Sequence, residues 1–186
     1  MKISREGGLL RVSFDAPERK NTLTTEDCAG LVAAVQDDSA HVVLIESKGS
    51  FFCGGLEAGA EPGALFDVET WRGVPVVAAI QGPAVDEGLA LMACAHVVVA
   101  AQGTSFALTG MRKGWFPGLN CAVLGRAIGE RRALELALTS RVFTVADAVA
   151  WGLVQHVAPA FEFDDRAEAI AAGIASNRVW LHDALS

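Results

Sequence analysis

The sequence predicts an α/β fold in which helices cover a largely parallel sheet. Two observations carry this expectation. Three runs, Val42 to Ile45, Val74 to Ile80 and Val97 to Ala101, are wholly apolar and rich in β-branched residues, as in strands covered on both faces. Between and after them lie segments with helical spacing and capping residues, so strand and helix signals alternate along the chain.

Taken in order, Leu9-Leu-Arg-Val-Ser-Phe14 alternates enough to form a strand, which Asp15-Ala-Pro17 breaks. Thr24 or Thr25 caps a helix with Asp27 in its first turn. Cys28, Leu31, Val32 and Val35 then follow at i, i+3, i+4 and i+7, one apolar helical face. Residues 57–64, rich in Gly, Ala and Glu, are the loosest stretch and are expected to form a mobile surface loop. Gly82 and Pro83 end the Val74–Ile80 strand, and Leu89 to Cys94 continues as a helix. Val97 to Ala101 is the third buried strand and Ser105 to Leu108 a short fourth. The last third is helical. Glu130 to Thr139 has Leu134 and Leu138 on one face, and Thr144 caps Val145 to Trp151, which Gly152 stops. Leu153 to Val157 reads as a short strand and Asp164 to Ser176 as an alanine-rich final helix. No repeat or linker interrupts the chain.

At 186 residues this is one medium domain, able to bury roughly 70% of its unfolded surface. With 52% hydrophobic and 20% charged residues, a disordered chain is excluded. Fifteen Lys and Arg face 22 Asp and Glu, a formal net charge of −7, and basic residues cluster no further than Arg19-Lys20, Arg112-Lys113 and Arg131-Arg132. Such a surface does not track nucleic-acid phosphates or anionic membranes. The apolar runs are too short to span a bilayer. Cys28, Cys53, Cys94 and Cys121 show no C-x-x-C spacing, so neither a zinc knuckle nor a redox motif is expected. The four histidines lack the i, i+4 pairing of a helical metal site, and no metal is expected. Without a signal peptide at the N-terminus, the expected setting is reducing and cytoplasmic.

Two stretches look chemical. Ser50-Phe-Phe-Cys-Gly-Gly-Leu-Glu57 follows the Val42–Ile45 strand, and its paired glycines can present bare N–H groups or simply make a tight turn. Gln81-Gly-Pro-Ala-Val-Asp-Glu-Gly88 lies between a buried strand and a helix, whose N-terminus offers unpaired N–H donors and a positive dipole end. Two such N–H groups converging on one carbonyl oxygen form an oxyanion hole. Neither stretch is a phosphate loop or a nucleophile elbow.

Both stretches, in this order, resemble the crotonase superfamily, the enoyl-CoA hydratase/isomerase family, over about residues 9–159. Pro17-Glu-Arg-Lys-Asn-Thr-Leu23 is similar to its P-E-x-x-N-A-L, and Phe52-Cys-Gly-Gly-Leu-Glu57 to F-C-A-G-A-D. Val74 to Gly82 resembles K-P-V-I-A-A-V-N-G, and Gly114-Trp-Phe-Pro-Gly118 resembles G-L-I-P-G. Ala133 to Thr139, and Ala146 to Val157, resemble the family's A-x-E-L-x-L-T-G and A-x-x-x-G-L-V endings. The resemblance implies a crotonase-type spiral of ββα units over residues 1–160, with a short helical tail over 161–186. It implies chemistry on an acyl thioester, bound to CoA or a carrier protein, through an enolate held by the amides of Leu56 and Glu87. No other cofactor is implied. The Pro17–Leu23 loop lies where the family holds the CoA nucleotide, so Arg19 and Lys20 are candidate phosphate contacts, or a solvated surface pair. Family members assemble as trimers or paired trimers, and the apolar Val179-Trp180-Leu181 would need cover.

The departures from the family pattern matter as much. Its oxyanion stretch, G-x-A-x-G-G-G-x-E, here reads Gly82-Pro-Ala-Val-Asp-Glu-Gly-Leu-Ala90. The hydratases' two catalytic glutamates fall on Ala90 and Gly110, so ordinary hydration is not expected. Asp86 and Glu87 are the candidate replacement carboxylates, or they cap a helix over 84–94. Arg112 and Lys113 are expected to face solvent. The segment from Cys53 to Pro75 is shorter than usual, so the helix walling the acyl pocket should be reduced. Gly88-Leu-Ala-Leu91 and Met111 to Gly118 look like the polyketide β-branching decarboxylases of the superfamily, which also lack the glutamates. A non-catalytic thioester binder or accessory subunit is the next alternative, and a purely structural or interaction protein without a ligand ranks last.

Overall fold

A computed structural model of the chain describes residues 1–177. Val179-Trp180-Leu181 lies outside the described residues. The main sheet has six strands in the order β1 (Lys2–Glu6), β2 (Leu9–Phe14), β3 (Val42–Ser47), β4 (Val76–Ile80), β6 (Val97–Ala101) and β9 (His156–Ala158). β1 pairs antiparallel to β2, and every other pairing is parallel. A second sheet holds the short strands β5 (Ala84–Val85), β7 (Ser105–Ala107) and β8 (Phe143–Thr144). The architecture is the α/β spiral expected from the sequence.

Both faces of the main sheet are covered, which is why β4, β6 and the Val42–Ile45 part of β3 are apolar. On one face Val43, Ile45, Val76, Ala78, Ile80, Val98 and Ala100 pack with α1 (Thr25–Val35), α2 (Glu87–Cys94), α3 (Gly118–Ile128) and α4 (Glu130–Thr139). On the other, Val42, Leu44, Val77, Ala79, Val99 and Ala101 meet Phe163, Ala167 and Ala171 of α6 (Phe163–Ser176). The C-terminal helix is thus the second cover of the sheet. α1 starts with a reciprocal capping box between Thr24 and Asp27, and α5 (Val145–Ala150) with the same device between Thr144 and Asp147. Beside it Phe106, Phe143 and Trp151 stack with centroids 5.2 and 5.0 Å apart.

Several local expectations change. Ala84-Val85 is a strand paired with β7, so α2 begins only at Glu87. The last short strand is His156–Ala158, a few residues later than its apolar run suggests. Leu134 and Leu138 point outward, because α4 buries the adjacent stripe of Ala133, Leu136 and Ala137. Where the family's pocket helix would run, a single 3-10 turn covers Val68–Trp71. Among the described residues no helix is long and apolar enough to cross a membrane.

Candidate functional site

The site grows from two backbone segments laid side by side. Cys53 bridges in parallel to Ala84, with Val85 N–H donating to the Cys53 carbonyl at 3.0 Å. On its other side the same segment bridges to Leu23. Leu23 N–H donates to the Gly55 carbonyl at 2.8 Å, and Glu57 N–H to the Leu23 carbonyl at 2.9 Å. In such a parallel pairing alternate residues use alternate edges. Residues 55 and 57 therefore face Leu23, and the amide of Leu56 is left to face α2. Gly88 lets α2 come this close, since a Cβ there would stand 2.4 Å from the Cys53 carbonyl oxygen.

Glu87 is the first residue of α2, so its own N–H has no intrahelical acceptor. Its side chain folds back over the same place. Leu56 N–H donates to Glu87 Oε2 at 3.1 Å, and Asn120 Nδ2 donates to Glu87 Oε1 at 2.9 Å. The contact that joins the two residues is thus between the Leu56 amide and the Glu87 side chain. Glu87 is half-buried, whereas Asn120, in the first turn of α3, is only 1% exposed. The Oδ1 of Asn120 has no hydrogen-bond partner among the described residues. Sequence reasoning did not single out Asn120. The available signal was a polar side chain two residues after the Gly114–Gly118 motif, directly ahead of the apolar run Cys121 to Leu124.

Asp86 turns elsewhere. It is buried, and its carboxylate accepts from the N–H and hydroxyl of Thr109 and from Lys113 Nζ, the last at 2.9 Å. It makes no capping hydrogen bond to α2, and Glu87 reaches across to Leu56, so the carboxylates do not cap the helix. Asp86 also sits at φ 49°, ψ −114°, backbone space that glycine enters freely and other residues seldom do. Lys113, expected to face solvent with Arg112, has its amine drawn onto Asp86.

The Arg19 guanidinium pairs with Glu57 at 2.6 Å and with Asp27 at 3.2 Å, which raises its pKa against the opposing effect of burial. Lys20 is exposed, with its amine 5.3 Å above the Phe51 ring. Asn21 braces this loop from inside. It accepts from Ala16 N–H at 2.9 Å and donates to the carbonyls of Lys48 and Phe51, both at 2.8 Å. Of the two hydratase positions, Ala90 is buried in α2 and Gly110 has no space for a side chain. A Cβ on Gly110 would lie 2.9 Å from the Trp115 carbonyl oxygen. At the far end of α2 a recess of about 180 Å³ is lined by Val68, Trp71, Ala93, Cys94 and Arg126.

A sequence profile of the family described as Enoyl-CoA hydratase/isomerase matches residues 4–183. Enoyl-CoA hydratase EchA19 of Mycobacterium tuberculosis is 27% identical, over 94% of this chain and 74% of its own length. The mitochondrial enoyl-CoA hydratase domain-containing protein 3 of Xenopus laevis is 28% identical over 84% of this chain, which spans 60% of that protein. A crystal structure of an enoyl-CoA hydratase from Mycobacterium smegmatis superposes with a TM-score of 0.87 at 27% identity, covering 99% of this chain and 80% of the other. Fold, motif order and profile agree, and the chain belongs to the enoyl-CoA hydratase/isomerase family of the crotonase superfamily.

Proposed function

We propose that this chain is a crotonase-type enzyme acting on an acyl thioester, carried by CoA or a carrier protein, by stabilising its enolate with the amides of Leu56 and Glu87. One observation carries the reading. The Leu56 amide, left out of the surrounding strand pairing, already holds an anionic oxygen at 3.1 Å beside the head of α2. A thioester enolate oxygen would take that place, favoured also by the positive end of the helix dipole.

Ordinary hydration is disfavoured on this reading. Ala90 carries no acid or base, and the packing around Gly110 admits none. A reaction that needs the oxyanion hole without an α-proton base fits better. In decarboxylation the C–C bond to the carboxylate breaks, CO₂ leaves, and the electron pair enters the enolate that the two amides hold. The second reading, a non-catalytic thioester binder, is favoured by the presence of the Glu87 carboxylate on the Leu56 donor. The four free cysteines support a reducing, cytoplasmic setting, and the family resemblance supports a trimer or a multiple of one.

The test is a panel of acyl-CoA and acyl-carrier thioesters followed by mass spectrometry, with Leu56→Pro as the donor-less control. Enolate chemistry predicts turnover of at least one thioester and a loss of about 10²–10³ in kcat without the Leu56 N–H. Thioester binding without turnover supports the second reading. Crotonyl-CoA hydration at the rate of an ordinary hydratase would overturn the assignment of Ala90 and Gly110.

A further inference from the structure

Leu56 and Asn120 grip Glu87 in a two-pronged way. Each donates to a different oxygen of one carboxylate, Leu56 N–H to Oε2 at 3.1 Å and Asn120 Nδ2 to Oε1 at 2.9 Å. The pair is therefore a receptor for a planar anion whose charge is shared by two oxygens on the same side. Asn120 is buried, and among the described residues its Oδ1 is unpartnered and its side chain makes no hydrogen bond other than the one to Glu87.

The Leu56 N–H cannot serve Glu87 and a thioester oxygen at once, so a substrate that enters this site displaces the Glu87 carboxylate. Glu87 is half-buried and can turn toward water. A simple acyl thioester then replaces only one of the two departed oxygens. Its oxygen meets the Leu56 amide, while Asn120 is left buried with no partner, which is costly for an amide. A thioester with a second carbonyl on C3 replaces both. In the enolate of such a 1,3-dicarbonyl, the charge spreads over the thioester oxygen and the C3 oxygen. Both lie on one side of a planar O–C–C–C–O unit, a wider version of the carboxylate it displaces.

We infer that the site prefers 1,3-dicarbonyl acyl thioesters, with the Leu56 amide on the thioester oxygen and Asn120 Nδ2 on the C3 oxygen. The inference rests on the acyl-thioester reading above and names its substrate class. Asn120 is on this account the residue that sets specificity.

The experiment compares acetoacetyl-CoA with butyryl-CoA, equal in carbon number and differing in the C3 oxygen, by calorimetric titration of the full chain. Pantetheine thioesters of both acids run in parallel. The wild type should bind the acetoacetyl thioester about tenfold or more tightly, the worth of one hydrogen bond to a charged group. Binding should also raise the near-ultraviolet absorbance of the acetoacetyl enolate, as the C2–H bond breaks, its electron pair joins the enolate and the proton leaves to solvent water. Asn120→Leu should weaken acetoacetyl binding about tenfold more than butyryl binding. Asn120→Ser, which removes the reach of the amide with less change in packing, should do the same if the leucine variant does not fold. The absorbance measurement needs no variant. Equal affinities, no rise in enolate absorbance, or an undiminished preference in a folded Asn120 variant would overturn the inference. Butyryl-CoA binding without preference overturns the substrate class alone. Binding of none of the thioesters overturns it together with the acyl-thioester reading.

Discussion

Replacing Asp86 by alanine and by glycine separates two opposing contributions at one residue. The backbone there, φ 49° and ψ −114°, costs any residue with a Cβ about 1–3 kcal/mol and costs glycine far less. The buried carboxylate acts the other way, binding the Thr109 N–H, the Thr109 hydroxyl and the Lys113 amine. Its removal strands the two groups of half-buried Thr109, at about 1–3 kcal/mol for each donor left unsatisfied, while exposed Lys113 returns to water at little cost. Asp86→Ala should therefore lose about 2–6 kcal/mol, the cost of the two stranded Thr109 donors. Asp86→Gly suffers the same loss of partners and recovers the strain, less about 0.5–1 kcal/mol for glycine's greater freedom when unfolded. It should be more stable than Asp86→Ala by about 1–2 kcal/mol while staying below the wild type. Urea unfolding with a shared slope reads the difference directly. An alanine variant as stable as the glycine variant would refute the strain argument, and one as stable as the wild type would refute the carboxylate network.

Three further outcomes follow from geometry already described. Gly88→Ala places a Cβ 2.4 Å from the Cys53 carbonyl oxygen, so α2 must move off the Leu56 segment. The expected cost is about 1–3 kcal/mol and, for displacement by about 1 Å, a loss of about 10² in turnover; unchanged melting and turnover would refute the close approach. His96 Nδ1 accepts the Val76 N–H at 3.0 Å, and burial lowers its pKa from 6.5. A base with a depressed folded pKa contributes its full stability above 6.5 and loses it as the pH falls through the folded value. Urea midpoints should decline from pH 7.5 to 5, above the range of the carboxylates, and decline less in His96→Gln; a flat profile refutes this. Burial pushes the thiols of Cys28, Cys53 and Cys94 up to about 11, 12 and 12, so in the native state at pH 8 these three should resist a thiolate-selective reagent that labels all four when unfolded.

The sequence was most legible where burial or capping leaves a local trace. β3, β4 and β6 announce themselves because both their faces are covered, and α1 and α5 because Thr24 and Thr144 carry reciprocal caps. β1 was invisible, since all five of its residues are exposed and an edge strand needs only its backbone. α3 was invisible too, because it opens on Pro117-Gly118 without a capping side chain. In α4 the spacing of Leu134 and Leu138 marks a stripe without saying which stripe packs, and the smaller Ala133 and Ala137 proved to be the buried ones. Leu56 and Glu87 are singled out by resemblance alone. The residues that give the site its particular character, Thr109, Lys113 and Asn120, act across loops, and a hydrogen bond across a loop leaves no period in the chain.

Those loop-spanning bonds set a schedule for the site. Leu56 waits for an acceptor 31 residues later, Asp86 for a donor 23 residues later, and Glu87 for its second donor 33 residues later. Each bond closes a long loop, and alone it does not offset the entropy of closing it. A chain synthesised only through Cys94 holds β1 to β4 and the segments of Leu56 and Glu87, yet Asp86 would have no partner to hold its backbone in place. At about 5–20 residues per second, the ribosome needs about 2–7 s to travel from Glu87 to Asn120. Through that interval the emerging chain can assemble most of its sheet while Glu87 lacks its second donor. The Leu56–Glu87–Asn120 arrangement thus arrives with α3, after the framework that carries it.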